Sequence, residues 1–477
     1  MTGKTSARQM LIGGKWVMCD SVIEVKDPQD HSLIDTVPAA TARDACLAVE
    51  KAREGAKIAQ KMSVHERMSI LNRTADQVEE EKERFARTIA REGSKTIKEA
   101  RKEVFRCMET LRISAEEARR INGETIAFDQ MPGNENRIGY YYYFPVGIVT
   151  AITPFNDPLN LVAHKVGPAI ASGNAIIVKP ASATPLSALL LAEAFIKAGL
   201  PPEVLSVVTG YGSEIGRNLV THPYVGKVSF TGGLHAGTEI TRIAGPKKVS
   251  MELGSNSPVI VLEDANLNRA VESSVSGAFS AAGQNCIGVQ RIYVEDAVFE
   301  DFLDQFVQKT LTLRVGDKMS EDTDMGPMIN EDEAKRVELW VDEAASGGAR
   351  ILCGGKREGS FYLPTVLTDV PEQSRLFQEE AFGPVVSIEK VSGLKEAIDQ
   401  SNRANYGLHA GIFTNNVQKA FYAIRQLEVG GVMINDSSDF RIDSMPFGGT
   451  KSSGVGREGV KFAIEDMTEK KVVCFNI

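Results

Sequence analysis

Two periodicities divide this chain. From Thr41 to about Ile121, apolar residues recur at three- and four-residue spacing with charges between them, as in "SILNRTADQVEEEKERFARTIAREGSKTIKEARKEVFRCMETL". That spacing gathers apolar side chains on one helix face, so a run of amphipathic helices is expected. After "QMPGNEN" the texture changes to the β-branched and aromatic "RIGYYYYFPVGIVTAITP", which reads as strand. Short apolar runs then alternate with helical patterns: "GIVTAIT", the helix "LNLVAHKVGPAIAS", "NAIIVKP", the helix "PLSALLLAEAFIKAG", "VLSVVTG", a helix from Ser213, "KVSFTG" and the helix "GTEITRIAG". Continuous apolar strands between helices mark a parallel sheet covered on both faces. A second alternating region runs from "SPVIVL" to about "GVMIND", so the fold class is α/β. No internal repeat or low-complexity segment is visible.

Composition narrows the function. With 477 residues the chain exceeds a single core, and two or three domains are expected. Its 54 basic against 63 acidic residues give a net charge of −9, and no basic block interrupts that balance. Nucleic acid and anionic membrane surfaces are therefore excluded as expected partners. No apolar run approaches the ~20 residues of a spanning helix. The start, "MTGKTSARQMLIGGKWV", has no apolar core and no small-residue cleavage site, so a cytoplasmic protein is expected. The six cysteines (Cys19, Cys46, Cys107, Cys286, Cys353, Cys474) are scattered and suit reduced thiols. Six histidines without a ligand-like spacing predict no metal site.

Candidate chemistry starts at "GQNCIGVQR", where Cys286 stands among small and polar residues that pack little. Buried cysteines usually sit in apolar runs, so this one is either an idle loop thiol or a nucleophile kept reachable. "SFTGGLHAG" puts Gly232 and Gly237 at a strand-to-helix turn, where backbone can approach a phosphate; a plain tight turn is the alternative. "VKPASATP" places Lys179 and Ser182 just past a strand, where ligands of open α/β sheets lie; a solvated loop lysine fits equally. In "MELGSNSP" Glu252 is flanked by apolar residues, which suits a general base as well as a surface carboxylate. "EEAFGP" offers Glu380 and Phe382 before a turn, and an aromatic there is more often core.

None of these motifs decides alone, but their order does. "TPFN", "KPAS", "FTGG" and "ELG" precede the cysteine, and "EEAFGP" and "PFGGTKSSGVGRE" follow it. In this order the chain resembles the aldehyde dehydrogenase superfamily over nearly its whole length. The resemblance implies a Rossmann-like cofactor domain (1–117 and 140–254), an α/β catalytic domain (255–445) and oligomerisation strands (118–139 and 460–477). It implies Cys286 as nucleophile, Asn156 as oxyanion donor and Glu252 as the base for hydrolysis. Thr153, Pro154, Phe155, Lys179, Ser182, Gly232, Gly237, Glu380 and Phe382 would hold NAD or NADP. Ser182 stands where NAD-preferring relatives often carry a glutamate, so NADP is not repelled. Ser255, where the family usually repeats glycine, would leave a side chain near the cofactor mouth. A homodimer or homotetramer is the implied assembly.

By the same resemblance the substrate tunnel is lined by Arg106, Asp157, Asn160, His164, Asn285, Ile287 and Arg441. These are mostly polar or charged, which points to a small polar or anionic aldehyde such as lactaldehyde, glyceraldehyde or sulfolactaldehyde. Succinate semialdehyde is the alternative, and a non-catalytic structural relative a more distant one. Two guanidinium groups, Arg106 and Arg441, would clamp an anionic tail unless Asp157 takes one of them.

Overall fold

The structure is a computed structural model and describes residues 8–477; residues 1–7, within the expected first domain, lie outside the described residues. The first sheet centres on five parallel strands: β1 (Ile148–Ile152), β2 (Ala175–Lys179), β3 (Leu205–Val207), β4 (Lys227–Thr231) and β5 (Lys248–Glu252). Their order in space is β3-β2-β1-β4-β5. β1 and β2 are buried at every position, as their largely apolar, β-branched sequences require; β4, which carries Lys227 and Ser229, is buried throughout as well, its Lys227 paired with Asp466. Because β1 is first in the chain yet central, the connections diverge on either side of it. That divergence opens a crevice beyond the carboxyl ends of β1 and β4.

The second sheet has seven strands, with β6 (Ser257–Val261) and β7 (Val289–Glu295) beside each other at its centre. All of its strands run parallel except the antiparallel edge Arg350–Cys353. A third, three-stranded sheet pairs Arg137–Pro145 between Glu124–Ile126 and Thr468–Asn476. The expected C-terminal strand segment therefore begins later. Val460–Asp466 is a helix, and its Val460 and Ile464 pack into the first apolar core.

The helical N-terminal region forms as its periodicity predicts, in four helices ending with α1 (Ile97–Ala118). α1 starts at a capping box in which Thr96 and Glu99 satisfy each other's backbone N–H groups. α2 (Asn160–Ala171), between β1 and β2, is buried at every residue.

One side chain bolts the first part of the chain to the second. The Lys318 ammonium is buried, donates to the carbonyls of Arg91 (3.0 Å) and Gly93 (2.8 Å), and pairs with Asp27 at 2.7 Å. Its own carbonyl accepts the first orphan N–H of α1, from Ile97, at 2.8 Å. Lys318→Met should cost about 3–5 kcal/mol, because Asp27 and two carbonyls are left without their donor. The shift of the urea midpoint measures this. Adding Asp27→Asn should recover part of the loss.

Candidate active site

Two cavities meet at Cys286. The larger, about 940 Å³, lies in the crevice beyond β1 and β4. The smaller, about 250 Å³, lies between α1, the end of β1 and the loop that precedes β7. Among the described residues, only Asn156, Leu161, Thr231 and Cys286 line both.

The loop carrying Cys286 is set by an unusual turn. Ala281 (φ 52°), Ala282 (φ 54°) and Gly283 (φ 68°) are all left-handed, a conformation that alanine adopts only at a cost. Gly283 leaves no alternative, since a Cβ there would lie 2.1 Å from the carbonyl oxygen of Gly383. After the turn, Gln284 accepts from Ile329 N–H at 2.9 Å and donates to the Ala281 carbonyl at 3.0 Å. The Asn156 amide donates to the Gln284 carbonyl at 3.0 Å. Ser438 donates to the carbonyl of Ile287 at 2.8 Å. Cys286 is left half-buried, and burial pushes its thiol up to about 12, with Arg441 pulling the other way.

Glu252 ends β5 in the larger cleft. Its carboxyl is buried and neither oxygen has a hydrogen-bond partner. Burial, then the charge of Glu458, pushes it well above the usual carboxylate range. Glu458 behaves oppositely although it too is buried. It pairs with Lys165 at 2.7 Å, accepts from Thr231 at 3.2 Å and meets Arg441 at 3.4 Å. Those cations outweigh its burial and hold it low. The Arg441 guanidinium also lies over the Phe447 ring at 3.7 Å, and its Nε is buried without a partner.

The expected residues separate by place. Thr153, Pro154, Phe155, Gly232, Glu380 and Phe382 line the larger cleft. The rings of Phe155 and Phe382 meet edge-on at 5.7 Å. Glu380 accepts from Ser255 N–H at 2.9 Å, and burial pushes its carboxyl to about 7. Its carboxylate rests on Gly254, where a Cβ would lie 2.1 Å away. Lys179 is buried beside the cleft, bonded to the Pro180 carbonyl at 3.0 Å, and desolvation lowers it to about 8. Ser182 donates to the Gly210 carbonyl at 3.1 Å. Gly237 is a packing position rather than a ligand contact: a Cβ there would lie 2.3 Å from Leu253. The Ser255 side chain is not at the mouth either; it is buried and bonded to Ser257 at 3.0 Å.

Arg106, Asp157, Asn285, Ile287 and Arg441 line the smaller cavity. Asn160 and His164 do not. Both are buried and point to Asp443, at 3.2 Å and 2.8 Å, because their shared helix face turns inward there. Asp443 also takes the Arg106 guanidinium, at 2.8 Å and 3.4 Å. Arg106 is 3.5 Å from Asp157 as well, and Asp157 is paired with Lys95. Asp443, Glu458, Lys165 and the cleft-lining Glu333 and Arg336 escaped the sequence reading. A lone lysine within the apolar "LVAHKVGPAI" was the one available signal for this group.

The larger cleft fits a dinucleotide on its own features. Helix α3 (Leu234–Ala244) begins at Gly233 with no side-chain cap, so its N-terminal N–H groups face the cleft unsatisfied. Nothing lies within 4 Å of where a Gly233 Cβ would stand, which leaves that approach open.

Comparison with known proteins agrees with this geometry. A model of the aldehyde dehydrogenase family matches residues 16–473, and the chain belongs to that family. It is 50% identical to aspartate-semialdehyde dehydrogenase 1 of Pseudomonas canavaninivorans, over 95% of this chain and 97% of that one. It is 45% identical to 3-sulfolactaldehyde dehydrogenase of Priestia aryabhattai over the whole of both chains. Among solved structures it is similar to aldehyde dehydrogenase 21 of Physcomitrella patens in complex with the reaction product succinate (TM-score 0.96, 40% identity, 98% of both chains). It is also similar to glyceraldehyde-3-phosphate dehydrogenase GapN of Methanocaldococcus jannaschii complexed with NADP (TM-score 0.93, 40% identity, 96% of this chain and 100% of that one). The protein is an NAD(P)-dependent aldehyde dehydrogenase that oxidises an aldehyde to its carboxylate.

Gly283→Ala should lower kcat by more than about 10-fold, since an ångström of displacement at a reacting atom costs up to about 100-fold. Titration of accessible thiols checks that the loop, and not the whole fold, has moved.

Proposed function

We propose that Cys286 adds to a small polar or anionic aldehyde in the 250 Å³ cavity, and that this residue's position between two cavities carries the reading. A planar aldehyde does not readily release hydride. Cys286, its thiol proton passing to water in the cleft, adds as the thiolate and converts it to a tetrahedral thiohemiacetal whose oxyanion can expel one. The bound nicotinamide supplies the acceptor for that hydride. Asn156, which lines both cavities, turns its amide from the Gln284 carbonyl to the oxyanion, and the Cys286 N–H is the second donor. One such donor is worth about 3–4 kcal/mol in other enzymes. Hydride loss leaves a thioester on Cys286. Glu252 then takes a proton from the attacking water, the C–S bond breaks, and the carboxylate leaves as Cys286 is regenerated; a carboxyl raised by burial is a stronger base than a solvated one.

In the larger cleft, Glu380 would accept the nicotinamide-ribose hydroxyls and Lys179 would hold the adenosine ribose, with the diphosphate at the open start of α3. Thr153, Pro154, Phe155, Gly232 and Phe382 would form the walls.

The tail of the substrate meets Arg441. Arg106 has its charge matched by Asp443 and Asp157, whereas Arg441 keeps a buried, unpartnered Nε and only a long contact to Glu458. The two-arginine clamp thus reduces to Arg441, which lines the cavity, while Arg106 is held by Asp443 and Asp157. This favours a short tail with a hydroxyl, carboxylate or sulfonate, as in lactaldehyde, glyceraldehyde or sulfolactaldehyde. Carboxylates beside the arginines also suit a zwitterionic tail such as that of aspartate semialdehyde. Succinate semialdehyde stays an arm of the test.

We also propose a cytoplasmic homodimer or homotetramer assembled through the three-stranded sheet. Its edge strand Thr468–Asn476 exposes Val472 and Phe475, and the neighbouring strand exposes Ile138 and Tyr142. An unpaired apolar edge is a hazard that a second copy would cover.

Cys286→Ala should abolish oxidation while leaving cofactor binding measurable by fluorescence quenching; retained turnover would remove the nucleophile assignment. Glu252→Gln should give one burst of NAD(P)H and then stall at the thioester. A wild-type steady state there would assign hydrolysis to another group.

For substrate, kcat/KM should be higher for lactaldehyde, sulfolactaldehyde, aspartate semialdehyde or succinate semialdehyde than for hexanal. Arg441→Ala should cost anionic substrates about 2 kcal/mol or more and hexanal little. If hexanal is preferred, or if all substrates lose equally, Arg441 is structural.

A further inference from the structure

Glu99 has a second hydrogen bond that its helix cap does not need. One carboxylate oxygen closes the capping box, accepting from the Thr96 N–H (2.8 Å) and hydroxyl (3.0 Å). The other oxygen accepts the backbone N–H of Ala281 at 2.8 Å. Ala281 is the first residue of the left-handed turn, five positions before Cys286. One side chain therefore joins the start of α1 to the turn that aims the nucleophile.

We propose that Glu99 is a positioning residue for Cys286: its carboxylate holds the left-handed Ala281–Gly283 turn and so fixes where the sulfur stands between the two cavities. This rests on Cys286 being the nucleophile. Two non-glycine residues in succession in this conformation persist only where the surroundings over-determine them. Gln284 closes the turn on the Ala281 carbonyl and ties it to Ile329, and Gly283 packs on Gly383; none of these holds the Ala281 N–H, where the chain enters the turn. At its near end the Glu99 oxygen is the clamp. A carboxylate bonded to a backbone N–H makes a charge-assisted bond, stronger than an amide would give. Glu99 also lines the substrate cavity, so loss of its charge alone has to be distinguished from loss of the clamp.

The test uses strain relief. Glu99→Gln keeps a residue that completes a capping box, so the fold is retained, but its amide has one oxygen for two demands. It should lower kcat by about 10-fold or more, on the scale expected for a misplaced reacting atom. Iodoacetamide labelling of Cys286 should slow in parallel. The cofactor Kd, read by fluorescence quenching, should stay within about twofold because Glu99 does not line that cleft. Ala281→Gly removes the cost of the left-handed conformation. Placed on Glu99→Gln, it should restore at least half of the lost kcat on a logarithmic scale, which no purely electrostatic or capping role would do. Thr96→Ala should lower the melting temperature while kcat holds within about twofold, since it removes the cap and leaves the clamp. The proposal is overturned if Glu99→Gln leaves kcat and labelling unchanged, if its loss falls wholly on the aldehyde KM, or if Ala281→Gly restores nothing. Should Cys286→Ala retain turnover, the nucleophile assignment fails first, whereas failure of these variants alone removes only the clamp.

Discussion

Cys286 must be reachable from two sides at once, and a loop that followed ordinary backbone geometry after helix Leu267–Phe279 would not put it there. The left-handed run of Ala281, Ala282 and Gly283 turns the chain sharply before β7, which lifts the sulfur to the junction of the cavities. Each left-handed alanine costs on the order of 1 kcal/mol or more. Neighbours from four distant segments offset that: α1, the end of β1, the turn at Gly383 and the Ile329 backbone. The two sheets and the Lys318 bolt serve this arrangement, because they hold those four segments in register.

Charge is distributed so that one carboxyl stays unmatched. Lys165 and Arg441 both face Glu458 rather than Glu252, although all four are buried together. Those cations hold Glu458 low, and its charge adds to burial in raising Glu252. Two neighbouring carboxyl groups with environments that push their affinities for protons apart are the usual signature of divided acid–base roles. The same logic separates the arginines. Asp443 collects Arg106, His164 and Asn160 into one cluster, while Arg441 meets only Glu458, at 3.4 Å.

What the sequence made legible was local. Strand and helix alternation followed from apolar periodicity, and Thr153, Pro154, Phe155 and Gly232, just past strand ends, line the crevice, whereas Lys179 and Ser182 stand beside it. The charge partners were not legible, because they join positions far apart in the chain, such as Arg106 with Asp443 or Lys165 with Glu458. Asn160 and His164 show the limit of helical spacing. It correctly puts them on one face, but it does not say whether that face looks into a cavity or at a buried aspartate. Ser255 fails in the same way: a side chain in place of glycine has two directions to point, and packing against Ser257 decided. The left-handed alanines left no mark at all, since alanine is not a residue that announces positive φ.

The partition of the cavities also orders the chemistry. Glu252 lines the larger cleft and not the smaller one, whereas Arg441 lines the smaller and not the larger. Under the proposed roles, the aldehyde tail and the hydrolytic base would stand on opposite sides of the sulfur. Water activated by Glu252 would then reach the thioester from the cleft side, with the acyl tail in the small cavity shielding the other face. Among the described residues, Asn156, Leu161, Thr231 and Cys286 are common to both spaces. A short tail held at Arg441, as proposed, would keep the carbonyl at that junction through both steps, so the feature proposed to favour small polar aldehydes would also keep hydrolysis directional.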